Sequence, residues 1–121
     1  MTNGEFRSML EKRTVDFSVN VLRMLRTIPS GLEARNLKEQ VARSSTAIGA
    51  NYREANRAES RADFVHKIAI VAKEAAESEY WLLLVRAMWP ELSVVDPLVK
   101  EAGELLRLFD SVRRSARAKV A

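Results

Sequence analysis

Apolar side chains recur along this chain at alternating steps of four and three, the spacing that lays them on one face of an α-helix. Leu10, Thr14, Phe17, Val21, Leu25 and Ile28 make the first such stripe. Pro29 ends it, because proline disfavours helical backbone at the residue before it. The pattern predicts a first helix over about residues 5–27. Ser30-Gly31-Leu32-Glu33 has the form of a capping box, a serine that would accept from a free amide with a glutamate reaching back. It predicts a second helix over about 32–58, with Leu37, Val41, Ser44, Ser45, Ile48, Tyr52 and Ala55 facing inward. Ser44, Ser45, Ala47, Gly49 and Ala50 keep its middle thin. Glycine costs a helix about 1 kcal/mol relative to alanine, so a close crossing or a slight kink is expected at Gly49.

Ser60 with Asp63 three residues on reads as the next helix start, since serine caps well and a carboxylate suits the positive end of a helix. A third helix is predicted over about 61–88, with Phe64, Ile68, Val71, Ala75, Ser78, Leu82, Val85 and Trp89 as its stripe. Asp96-Pro97 marks a fourth start, with Asp96 as the cap and Pro97 where no amide is needed. That helix is predicted over about 97–115, on Leu98, Ala102, Leu105, Phe109 and Val112. Four long helices with short connections predict a single all-α domain over 1–121, an antiparallel up-and-down four-helix bundle.

Two stretches carry more apolar surface than one bundle needs. Val15, Val19 and Leu22 form a second stripe on the first helix, roughly 100–160° around from Val21 at about 100° per residue. The end of the third helix, from Trp81 through Met88, is apolar nearly all round. A helix apolar on every side is buried on every side, which a lone bundle cannot arrange. The expectation is a homo-oligomer whose interface includes Val15, Val19, Leu22, Trp81, Leu84 and Met88.

Composition narrows the class without changing it. A chain of 121 residues, 47% hydrophobic and 30% charged, is globular and long enough to bury a core unaided. It has no cysteine, which excludes disulfides and thiol chemistry and suits a cytoplasmic protein. The longest apolar run, Trp81 to Val85, is far short of a membrane span, and the start MTNGEFRSMLEKR is too charged for a signal peptide. No membrane association is expected.

Charge adds a candidate surface. The net charge is +4 and the pI about 9.8. The basic excess lies mainly in the first half and at the extreme C-terminus, where Arg113 to Ala121 holds four basic residues and no acid. On the second helix, Arg35, Arg53 and Arg57 fall within about 80° of Arg43, and the four together face away from the core. Such a stripe suits contact with phosphates. Glu39 and Glu54 dilute it, and a solvated helix face would look the same.

Catalytic and metal chemistry find little support. His66 is the single histidine, and Asp63-Phe64-Val65-His66 has no second copy to complete a bundle metal site. No Gly-rich phosphate loop and no Ser-His-Asp arrangement is present. Glu74, Glu77 and Glu79 cluster near Lys73; Glu77 can pair with Lys73, and Glu74, nearer the core edge, with an arginine of a neighbouring helix. No cofactor, no metal and no enzyme activity are expected.

The segment Arg43-Ser44-Ser45-Thr46-Ala47-Ile48-Gly49-Ala50-Asn51, then Arg53-Glu54-Ala55, Asp63-Phe64-Val65-His66-Lys67, Lys73-Glu74-Ala75 and Glu77-Ser78-Glu79-Tyr80-Trp81-Leu82, resembles the 23S ribosomal RNA intervening-sequence protein family. The resemblance covers most of 30–90. It implies a four-helix bundle without catalysis that tends to assemble as a pentamer. The accessory variability protein of diversity-generating retroelements looks like a relative, and that resemblance implies work with nucleic acid. Two functions therefore stand side by side: an oligomeric accessory protein binding RNA or DNA through a basic surface, and a structural module that presents its surfaces to a protein partner.

Overall fold

Thr2 starts the fold. Its hydroxyl accepts from the Glu5 amide at 3.0 Å, satisfying one of the free donors at the head of α1, Asn3–Leu25. The computed structural model describes residues 1–120. Three further helices follow: α2 Leu32–Ala55, α3 Arg61–Met88 and α4 Val95–Val120. They form a four-helix bundle in which α2 packs on α1 and α3, α3 packs extensively on α4, and α4 closes more thinly on α1. The short connections reverse direction each time, so the chain runs up and down.

The expected stripes are the core. Leu10, Thr14, Phe17, Val21, Leu25 and Ile28 are buried, as are the inward residues of α2 from Leu37 to Ala55 and those of α3 from Ile68 to Val85. Leu98, Ala102, Leu105 and Phe109 close the fourth side. Phe64, Trp89 and Val112, at the ends of their stripes, pack on the core while remaining partly exposed. Tyr52 and Phe109 bring their rings to 5.0 Å between α2 and α4. The buried hydroxyls are all used: Thr14 donates to Glu11 O, Ser44 to Gln40 O, Ser45 to Ala42 O and Ser78 to Ser44 Oγ across the α2–α3 seam. Thr14, Ser44 and Ser45 satisfy themselves within their own helices, and none of these small hydroxyls widens the crossing.

The helix ends depart from the expected ones. The capping box at Ser30 does not form; α2 begins at Leu32, so Gly31 is the cap and no side chain bonds the free amides. Serine therefore stands one residue too early. Ser60 caps α3 as expected, accepting from the Asp63 amide at 3.0 Å. Asp96 is not a cap either. Tight turns through Trp89–Leu92 and Leu92–Val95 lead into α4 two residues before Pro97, and Asp96 and Pro97 both lie in its first turn, where a missing amide costs nothing. α1 stops at Leu25 instead of 27 and α2 at Ala55 instead of 58, each tightening into i→i+3 bonds such as Thr27 N to Met24 O and Ala58 N to Ala55 O. α4 runs on to Val120, past the expected end at 115, because Ala116 and Ala118 favour helix and nothing breaks it. The last residue of the expected domain, Ala121, lies outside the described residues.

Candidate functional site

Arg35 and Arg53 are exposed on α2 and Arg57 just past its end, and none of the three forms an ion pair among the described residues. Arg43 is different. Its Nη2 lies 2.8 Å from Glu77 Oε2 and its Nη1 3.7 Å from Glu74 Oε2, so it ties α2 to α3. The hydrogen bond to Glu77 raises its pKa, and its charge is matched locally. Glu74 thus has the inter-helix arginine expected of it, though without a hydrogen bond: its buried Oε2 has no hydrogen-bond partner. Burial, and then the Glu77 carboxylate, push the Glu74 pKa up. Arg35 and Arg53 are separated by about 27 Å of helix at ~1.5 Å per residue. The expected stripe is therefore a lone free cation, Arg35, and a free pair, Arg53 and Arg57, with a salt bridge between them.

Arg53 and Arg57 belong to a larger assembly. Because the helices alternate in direction, the heads of α1 and α3 meet the tails of α2 and α4 at one end of the bundle. Residues 1–7, 53–64 and 111–120 hold eight basic and four acidic side chains, leaving twelve of each for the rest of the chain. The whole net charge of +4 sits at this end. Two adjoining hollows open there, of about 420 Å³ and about 350 Å³, and both are lined by Asn3, Arg61 and Phe64. Arg7 and Asn56 complete the first, Phe6 and Lys119 the second. Two acids nearby are already engaged: Asp63 by Lys67 at 3.0 Å, which holds its carboxyl below the usual range, and Glu11 by the Asn56 amide at 2.9 Å.

The expected interface residues divide by exposure. Val15, Val19, Leu22 and Met88 are exposed, at 38–49%. Trp81 and Leu84 are half-buried. Trp81 Nε1 is buried without a hydrogen-bond partner, and the Tyr80 ring stands edge-on to the indole at 5.1 Å. Tyr80 and Leu83 are exposed beside them, so the solvent face of α3 is apolar well beyond the three residues chosen from sequence. His66 is exposed, and among the described residues no group of three or more His, Cys, Asp or Glu is placed to hold a metal. No described helix is long and apolar enough to cross a membrane.

Comparison with known proteins places this bundle. The family described as 23S rRNA-intervening sequence protein matches residues 8–109. The chain belongs to that family. A crystal structure of a protein of unknown function from the S23 ribosomal protein family of Bacteroides thetaiotaomicron superposes on it with a TM-score of 0.77 at 32% identity, covering 89% of this chain and 97% of the other. No curated protein matches the chain.

The span shared with the 23S rRNA-intervening sequence proteins excludes much of the basic end. Arg53, Arg57 and Arg61 lie inside 8–109, whereas Arg7, Arg113, Arg114, Arg117 and Lys119 lie outside it. Arg7 and Arg61 are not part of any cationic stripe on a single helix, since each stands apart from other basic residues at the head of its own helix. Summing charge over the helix ends that an antiparallel bundle brings together would have found them.

Proposed function

We propose that this member of the 23S rRNA-intervening sequence protein family is a non-enzymatic, homo-oligomeric accessory protein of the cytoplasm that binds RNA or DNA through the basic end of its bundle. The observation that carries this reading is the confinement of the net charge to one end, with Arg53, Arg57, Arg61, Arg114 and Arg117 projecting from three helices. Phosphate contacts of this kind need cations and no sequence readout. Arg53 and Arg57 of the α2 set fit this role, Arg35 lies at the far end, and Arg43 serves the α2–α3 seam.

Assembly supports the reading energetically. The exposed apolar residues on α1 and α3 suit packing against further copies, pentameric as the family resemblance implies. A ring would repeat the basic end once per subunit, and weak contacts would add through multivalency. The alternative, a structural module for a protein partner, uses the same apolar surfaces and leaves the basic end without a role.

The test is the binding of labelled single-stranded RNA and of duplex DNA by the wild-type protein across a salt series. Contact with Z phosphates makes log affinity fall with log salt at a slope of roughly −0.7Z to −0.9Z. Absence of binding at low salt would overturn the electrostatic reading and leave the protein-interaction one.

A further inference from the structure

The two hollows at the basic end combine features that a diffuse cationic surface lacks. Arg7 of α1 and Arg61 of α3 line the first, and Arg61 with Lys119 of α4 lines the second, so each hollow is lined by cations from two different helices. Phe64 lines both hollows, and Phe6 lines the second. Both rings are only half-buried, with one side against the core. At about 420 and 350 Å³, each hollow falls in the range of small-ligand sites, from about 300 Å³ upward. Asn3 lines both, and its amide carries a donor and an acceptor. A cation, an open aromatic ring and an amide within one cavity match the three parts of a nucleotide: phosphate, base face and base edge.

We propose that these adjoining hollows take successive nucleotides of a single strand, with phosphates at Arg7, Arg61 and Lys119 and a base stacked on Phe64. The proposal rests on the nucleic-acid reading above and adds strand type to it. A ring recessed in a hollow reaches a base only when that base is free of its pairing partner, so the site favours single strands over duplex. Cations of a flat surface would bind both forms by charge alone. No carboxylate lines either hollow, and two of the acids nearby, Asp63 and Glu11, are held by Lys67 and Asn56.

The experiment compares a short labelled oligouridylate with a DNA duplex of the same length, against wild-type protein, Phe64→Leu and the double variant Arg7→Gln/Arg61→Gln. Leucine keeps an apolar side chain against the core, and far-UV circular dichroism checks that each variant stays helical. The wild type should prefer the single strand. Phe64→Leu should weaken the single strand by at least about fivefold, the lower end of base–aromatic stacking, with duplex affinity unchanged. The double variant should weaken both and shrink the single-strand salt slope by roughly 1.4, at about 0.7 per contact. Wild-type binding that Phe64→Leu and the double variant both leave unchanged would overturn the site while the nucleic-acid reading stands. No binding of either probe by the wild type would overturn both.

Discussion

Gly49 of α2 lies so close to Thr14 of α1 that a methyl group added to it would fall 2.9 Å from Thr14 Oγ1 and 3.1 Å from Thr14 Cβ. A change of Thr14 rotamer cannot relieve the second contact, so the two helices would have to move apart. The close crossing anticipated from the small residues of α2 is thus centred on this pair. Gly103 of α4 offers a contrast: its added methyl would meet Glu79 Oε2 at 2.7 Å, but that is the far end of a flexible side chain. Gly49→Ala should lose about 1 kcal/mol net, because overpacking of roughly 1–3 kcal/mol exceeds the gain in helix propensity. Gly103→Ala should gain about 0.5–1 kcal/mol. Urea unfolding of the two variants gives the order, and a more stable Gly49→Ala would remove the crossing from the account.

The thin α1–α4 seam depends on Arg13. Its Nε and Nη2 each donate to one oxygen of Glu101 at 2.7 Å, and Nη2 also reaches Glu104 at 2.8 Å. The fork is partly buried and fits a carboxylate in a way that an ammonium cannot. Arg13→Lys should therefore destabilise by about 1–2 kcal/mol despite conserving charge. A wild-type melting temperature for Arg13→Lys would show that the seam holds on apolar packing alone.

The fold was legible from sequence because each helix carries its own periodic stripe, and all four stripes prove buried except at the ends marked by Phe64, Trp89 and Val112. The caps were less so. Ser30 stands one residue before the cap position of α2 and Asp96 two residues past that of α4, and residue type does not set that register. The candidate site was legible only in pieces. Arg43 looks like its neighbours Arg53 and Arg57 on a helical projection, yet Glu77 of the next helix claims it. Arg7, Phe64 and Lys119 come together only once three helix termini share one end.

Glu74 makes the fold pH-sensitive in a defined direction. Burial and the neighbouring Glu77 raise its folded pKa, so its ionised form penalises the folded state at neutral pH. The penalty disappears as pH falls through the folded pKa and the carboxyl protonates. Glu74→Gln should therefore match or exceed wild-type stability at neutral pH, and its advantage should shrink as pH drops into the carboxylate range. Thermal melts over a pH series check this; an advantage that grows toward low pH would contradict the assignment.

Assembly through the apolar faces predicts a variant that dissociates without unfolding. Val19 and Met88 are exposed in the single chain, so Val19→Lys/Met88→Lys should keep full helix content while its mass falls to that of a smaller species. Light scattering after gel filtration reads this directly. An unchanged mass would place the interface on other surfaces, and a monomeric wild type would remove the oligomer.

The central claim is that nucleic acid meets one end of the bundle. Its most direct test is the salt dependence of single-strand binding for two variants with equal loss of charge. One carries Arg53→Gln, Arg57→Gln, Arg114→Gln and Arg117→Gln at the basic end. The other carries Arg23→Gln, Arg26→Gln, Arg35→Gln and Lys38→Gln, at the opposite end of the bundle. The account predicts a slope shallower by up to about 2.8 for the first, at roughly 0.7 per phosphate contact, and a near wild-type slope for the second. Equal losses in both variants, or a loss confined to the second, would contradict it.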